Sequence, residues 1–192
     1  MARVPNKQAV FLELDGVICE RPSLTIEGEV PYYPDAIDAL TRIDPATFKI
    51  FIATSREDIA MGHLREREFK KLCERFIQDT TQAGVQIAKI YSCPYHPKGR
   101  QRYRKDSVFR KPAPGIFKMA QQEFDLNLAR CWMIGHTTTD VLAGSRGGVG
   151  TILVETGKGG RDGSYLVDPH RTVRDIRHAV RFINSYEMSL RC

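Results

Sequence analysis

Short apolar runs alternating with stretches of helical periodicity constrain this chain more than any other feature of its sequence. Residues 9–13, 48–54, 85–91, 131–134 and 151–154 are apolar almost throughout. Runs of that length without polar alternation predict strands buried on both faces of a sheet. The segments between them carry a different period. Ile37, Leu40 and Ile43 recur at helical spacing over 35–43, and Phe69, Leu72, Cys73, Phe76 and Ile77 fall on one face of 58–77. Residues 114–124 begin with Pro114, which suits a first helical turn, and 140–146 read as a short helix ending near Gly147 and Gly148. A last helix is predicted over 172–186, with Val173, Ile176, Val180 and Ile183 as its buried stripe.

Strand–helix alternation of this kind predicts an α/β fold with a doubly wound parallel sheet. Ligands of such sheets sit beyond the carboxyl ends of the strands. The polar clusters at those ends are therefore the candidate site: Glu13-Leu14-Asp15, Thr54-Ser55, Lys111, and His136 to Asp140. At 192 residues, with no internal repeat, low-complexity tract or linker, the chain is expected to form one domain over 1–192.

Composition narrows the class. The chain is 42% hydrophobic and 27% charged, as expected of a soluble globular protein. No apolar run approaches a membrane span, and the amino terminus lacks a signal-peptide core. The final Ser-Leu-Arg-Cys does not fit a prenylation box, so a cytoplasmic location is expected. Cys19, Cys73, Cys93, Cys131 and Cys192 are scattered, without metal-type spacing or a disulfide framework, which fits reduced thiols. The net charge of +6 is compatible with an anionic partner, phosphate ester or nucleic acid alike.

The ordered clusters resemble the motifs of the haloacid dehalogenase (HAD) superfamily. "ELDGV" (13–17) is similar to its first motif, normally Asp-x-Asp-Gly, and "FIATS" (51–55) to its second, with Thr54 at the hydroxyl position. "RKPAPG" (110–115) resembles the third, with Lys111 as its lysine, and "MIGHTTTD" (133–140) the fourth, normally Gly-Asp with a later Asp. "YYPDAIDAL", "CPYHPKG", "RKPAPGIF" and "GVGTILVETGKG" narrow the resemblance to the histidinol-phosphate and D,D-heptose 1,7-bisphosphate phosphatases, compact capless members acting on small phosphorylated metabolites. The match runs from residue 9 to about residue 160.

The resemblance implies a set of roles. The first carboxylate, here Glu13, attacks phosphorus, and the second, Asp15, is the general acid and base. Thr54, Ser55, Arg110 and Lys111 hold phosphate oxygens. Glu13, Asp15, His136 and Asp140 form the metal shell for Mg²⁺ or Mn²⁺, with the Leu14 carbonyl nearby.

Three departures modify these expectations. Glu13 is one methylene, roughly 1.5 Å, longer than the usual Asp, where a misplacement of about 1 Å can cost on the order of a hundredfold. His136 replaces a metal-binding Asp, and neutral nitrogen suits Mg²⁺ poorly, so metal affinity is expected to weaken. Of the four ligands of the family's zinc loop only Cys93 remains, Tyr95, Ser107 and Phe109 standing at the other positions, so no zinc is expected.

Plainer roles stand beside these. Ser55 or Asp58 could cap a following helix, His136 could be hydrogen-bonded structurally among Thr137 to Thr139, and Cys93 could be a small buried residue. Two basic features suggest a nucleic-acid surface: "KGRQRYRK" (98–105), and Arg174, Arg177 and Arg181 on the last helix, flanked by Arg171 and His178. Three functions follow as alternatives: a phosphatase of a small phosphorylated sugar or metabolite, a noncatalytic HAD protein that binds one, or a basic module of a nucleoprotein assembly.

Overall fold

The computed structural model describes residues 7–20 and 29–190. The carboxy-terminal Arg191 and Cys192 of the prenylation argument, and the amino-terminal residues of the signal-peptide argument, lie outside them.

A six-stranded sheet, parallel throughout, organises the chain, with strand order β3-β2-β1-β4-β5-β6. Its members are β1 (Gln8–Leu12), β2 (Phe48–Ser55), β3 (Ile87–Cys93), β4 (Trp132–Gly135), β5 (Gly150–Val154) and β6 (Arg171–Val173). The helices are α1 (Ala36–Thr41), α2 (Glu57–Met61), α3 (Glu66–Gln82), α4 (Gly115–Phe124), α5 (Thr138–Gly147) and α6 (Ile176–Ser189).

Both faces of the sheet are covered, as the unbroken apolar runs require. Side chains alternate along β1, so Val10 and Leu12 enter one core and Ala9 and Phe11 the other. The first core is closed by α1, α3 and α6 through Leu40, Phe76 and Ile183. The second is closed by α4 and α5 through Phe117 and Ala143. Phe11 lies in the second core, stacked on Phe51 at 5.2 Å and edge-on to Phe117 at 5.0 Å between ring centres.

The chain leaves β1 toward β2 and β3, then returns to the other side of β1 with β4. Strand order therefore reverses between β1 and β4, which opens a crevice at their carboxyl ends. A hydrogen bond of 3.0 Å from the Glu13 N–H to the Ile134 carbonyl sets the two ends level. The first and fourth motifs thus face each other across this crevice.

Most element ends shift by a residue or two from the sequence expectation, and three of the differences have a visible cause. The helix predicted over 58–77 is two helices, because Gly62 adopts φ 79° and closes α2 before α3 begins. The third strand starts at Ile87 rather than Val85, whose N–H is used to close α3 on the Thr80 carbonyl at 2.8 Å. The last helix starts at Ile176, not at 172. Asp175 caps it by accepting the His178 N–H at 3.0 Å, while Arg171–Val173 pair with β5 as a sixth strand.

Among the described residues no helix is long and apolar enough to cross a membrane, and Cys19, Cys73, Cys93 and Cys131 are free thiols.

Candidate active site

Glu13, Asp15, Ser55, Lys111, His136 and Asp140 line one cavity of about 360 Å³ at the β1/β4 crevice. Motifs separated by more than a hundred residues of sequence therefore meet where the topology predicts. Thr54 and Arg110 are not part of that lining. The Thr54 hydroxyl is fully buried, and the Arg110 guanidinium lies 3.8 Å from Glu57 and 3.7 Å from Asp106.

Lys111 is the centre of the site. Its buried ammonium donates to Glu13 Oε2, to Asp140 Oδ1 at 2.5 Å and to the Ala53 carbonyl at 2.9 Å. Burial alone would lower its pKa, but Asp140 and Glu13 outweigh that and raise it, so the ammonium is charged. The same pairing holds Asp140 below the usual carboxylate range against its own burial. Asp140 Oδ2 takes three further donors: the His136 N–H at 3.0 Å, the Thr137 N–H at 3.1 Å and the Thr137 hydroxyl at 2.8 Å. Thr137 and Asp140 thereby form a reciprocal cap at the start of α5.

A second buried cation was not anticipated. Arg56 has no exposed surface and donates from Nη1 to Asp15 Oδ1 at 2.8 Å. Its Nε and Nη2 grip Asp58 in a fork, Nε at 3.2 Å, and its guanidinium lies 4.8 Å from the centre of the Phe69 ring. Asp58 also accepts the N–H of Ile59 at 3.0 Å from inside α2, whose N-cap position is Arg56 with no side-chain cap bond, so neither Asp58 nor Ser55 caps that helix. Asp15 is pushed up to about 7, first by burial, with Arg56 opposing and the Glu13 charge adding to the rise. Nothing in "SRED" marks Arg56 as buried, since a cation after a strand usually meets solvent.

His136 occupies a slot. Gly16, at φ 75°, and Gly157, at φ 60°, leave room that a Cβ at either position would fill, at 2.4 and 2.5 Å from Nδ1. The backbone N–H of Lys158 donates to His136 Nδ1 at 3.0 Å. Burial lowers the pKa of this ring more than Asp140 and Glu13 raise it. The 155–160 loop that supplies these contacts is tied back by Thr156, whose hydroxyl donates to the Gly16 carbonyl at 2.6 Å. Its role was foreshadowed only by the glycines of "TGKGG".

The divalent cation implied by the resemblance does not fit these donors as arranged. Both oxygens of Glu13 are engaged, Oε1 by the Leu14 N–H at 2.9 Å and Oε2 by Lys111. Both oxygens of Asp140 are engaged as well, and the Leu14 carbonyl accepts the N–H groups of Ile18 and Cys19. Among the described residues no three His, Cys, Asp or Glu side chains are placed to hold a metal ion.

Three atoms of the expected phosphate grip are buried without a hydrogen bond among the described residues: Thr54 Oγ1, Ser55 Oγ and Arg110 Nε, the last ion-paired with Asp106. A buried polar atom left unpaired costs about 1–3 kcal/mol, so such atoms gathered at one site mark a place for a ligand.

The basic segments are largely committed within the chain. Arg102 and Tyr103 both bind Glu66 at 2.8 Å, Arg104 donates to the Gly99 carbonyl at 2.9 Å, and Lys105 stacks on Tyr95 at 3.9 Å. On α6, Arg177 pairs with Asp35 at 3.0 Å. Cys93 is buried at the end of β3, and its carbonyl accepts the Arg56 N–H at 2.8 Å.

Comparison with known proteins agrees with this geometry. A HAD-hydrolase-like family model matches residues 108–179. The D-glycero-alpha-D-manno-heptose-1,7-bisphosphate 7-phosphatase of Burkholderia mallei is 35% identical over 151 residues, covering 78% of this chain and 80% of the relative. The D-glycero-beta-D-manno-heptose-1,7-bisphosphate 7-phosphatase of Pasteurella multocida is 27% identical over 93% of this chain and all of its own length. Among solved structures, the D,D-heptose 1,7-bisphosphate phosphatase from B. bronchiseptica, complexed with magnesium and phosphate, superposes with a TM-score of 0.80 at 22% identity, over 94% of this chain and 99% of the other. With its motifs gathered at the switch point of a parallel sheet, the chain belongs to the HAD superfamily, in the family of the D,D-heptose 1,7-bisphosphate phosphatases.

Proposed function

We propose that the cavity takes the phosphate group of a small phosphorylated sugar, of the heptose 1,7-bisphosphate class, and that the chain hydrolyses it slowly. The observation that carries this reading is the buried Lys111 ammonium at the switch point, in a cavity also lined by Ser55, whose buried hydroxyl has no hydrogen-bond partner, with the unpaired Thr54 hydroxyl next to it in sequence. Phosphate oxygens supply the acceptors that those donors lack. Relatives acting on heptose bisphosphates support the choice of a sugar phosphate over a nucleic acid.

In the proposed reaction a Glu13 oxygen attacks phosphorus as the ester P–O bond breaks, and Asp15 gives its proton to the leaving oxygen. Water then cleaves the acyl-phosphate while Asp15 takes the proton back. A carboxyl group titrating at about 7 suits that double duty near neutral pH. To attack, one Glu13 oxygen must turn from its present donor, Lys111 or the Leu14 N–H, and the extra methylene misaligns the approach, so turnover is slow. Affinity for Mg²⁺ or Mn²⁺ is weak, because among the oxygens of Glu13, Asp15 and Asp140 only Asp15 Oδ2 is left without a hydrogen bond in the described residues. The 93–109 loop, with Cys93 as its single cysteine, holds no zinc.

The engagement of both Glu13 oxygens favours a second reading, a noncatalytic protein that binds the sugar phosphate and leaves it intact. Orthophosphate release from a panel including heptose 1,7-bisphosphate separates the two. Slow release is expected, with kcat/KM falling about tenfold per pH unit above pH about 7, as Asp15 loses the proton that the first step consumes. Binding without release supports the second reading. Neither binding nor release overturns both.

A further inference from the structure

We propose that His136 is a neutral hydrogen-bond donor to the bound phosphate through Nε2–H, in the place where the motif leads one to expect a metal ligand. The inference rests on the phosphate-site reading above and gives His136 its part in that site.

Two observations fix the ring. The glycine slot formed by Gly16 and Gly157 holds its plane, since no side chain larger than hydrogen fits on either wall. At one edge, the Lys158 N–H points at Nδ1 from 3.0 Å. A nitrogen that accepts a backbone N–H carries no proton of its own, because a proton there would set two donors head to head. The proton of the neutral ring is therefore on Nε2.

This assignment decides what the ring can offer. A metal ligand must present a lone pair. Here the Nδ1 lone pair is occupied by Lys158, and Nε2 spends its electrons on an N–H bond. Moving that proton to Nδ1 would free Nε2 at the cost of the Lys158 hydrogen bond. As built, His136 lines the cavity with its Nδ1 already taken by Lys158, and its Nε2 makes no hydrogen bond among the described residues. A phosphate oxygen is the acceptor that this donor lacks, and Lys111 and Ser55 line the same cavity.

Calorimetric titration with orthophosphate in the presence of EDTA tests the proposal. Wild type is expected to bind, and His136→Ala to bind about tenfold more weakly, the effect of one hydrogen bond to a charged acceptor. His136→Gln, whose amide retains an N–H, is expected to recover most of the affinity. His136→Asp, which replaces the donor by a carboxylate, should lose at least as much as the alanine variant. ¹⁵N NMR of the wild-type imidazole should show Nε2 protonated and Nδ1 unprotonated, with neither signal shifted by added Mg²⁺. Orthophosphate affinity unchanged in His136→Ala overturns the inference and leaves the phosphate site standing. A deprotonated Nε2 whose signal moves with Mg²⁺ overturns it in favour of metal ligation. Failure of wild type to bind orthophosphate removes the phosphate-site reading together with this inference.

Discussion

Replacing Lys111 by Met is expected to destabilise the folded chain by about 3–5 kcal/mol, the usual cost of stripping one partner from a buried ion pair. The methionine fills much of the lysine's volume, so the loss is electrostatic rather than a cavity. Glu13 and Asp140 are then left facing each other, buried, with no counter-charge between them. The contribution of Asp140 to the pH dependence should change sign with the substitution, on top of the fall toward about pH 7 that the raised Asp15 gives wild type. In wild type the depressed pKa of Asp140 contributes stability that is present above its ordinary value of 3.8 and lost as pH falls through the folded value. In Lys111→Met the orphaned carboxyls titrate above their unfolded values, so stability is greatest in mild acid and falls as pH rises through the folded pKa. Urea midpoints of variant and wild type, measured side by side from about pH 3 to pH 8, read both the size and the sign of the difference. Orthophosphate binding should be lost over the same range.

Arg56→Leu is expected to cost a similar amount, about 3–5 kcal/mol, by a separate route. Asp58 loses both arms of its fork, Asp15 loses its nearest cation, and the guanidinium no longer covers Phe69. Arg56→Lys should restore little, because a point charge cannot satisfy both Asp58 oxygens and still reach Asp15. The double variant Arg56→Leu/Asp58→Leu should recover a large part of the lost stability, since replacing both members of a buried pair by apolar groups is often near neutral. The same variant should remain poor in phosphate release, because Asp15 has lost the contact that orients it. Unfolding by urea and orthophosphate release, measured on all three proteins, separate the structural role of Arg56 from its effect on Asp15.

Much of this architecture was legible because it follows from patterns a chain cannot easily disguise. Continuous apolar runs such as 48–54 have to be buried on both faces, and strand–helix alternation then leaves a parallel sheet with its site at the carboxyl edge. Glu13, Asp15, Ser55, His136 and Asp140 were predicted from those strand ends and do share a cavity, which Lys111 enters from the loop before α4 rather than from a strand end. What escaped notice was decided by tertiary contacts. Arg56 looks like any cation beyond a strand until Asp15, Asp58 and Phe69 close round it. A three-residue strand such as β6 has too little sequence to show a period, and its Val173 reads equally well as the first residue of a helical stripe. Gly62 was visible in the sequence, and its left-handed backbone is the reason that one predicted helix became two.

The His136 slot shows the same division. The substitution of a metal-binding Asp is plain in "MIGHTTTD", but its consequence depends on a backbone N–H from residue 158 and a glycine at 157, neither adjacent in sequence. Side-chain identity alone left metal ligation and structural hydrogen bonding as equal readings. The proton on Nε2 follows from the partner of Nδ1.

The most direct test of Glu13 as the residue facing phosphorus is orthophosphate release from heptose 1,7-bisphosphate by wild type and Glu13→Asp side by side. Shortening the side chain by one methylene removes the misalignment of roughly 1.5 Å, so kcat should rise on the order of a hundredfold with KM little changed. A Glu13→Asp protein that folds, binds orthophosphate and releases it no faster than wild type would contradict the account.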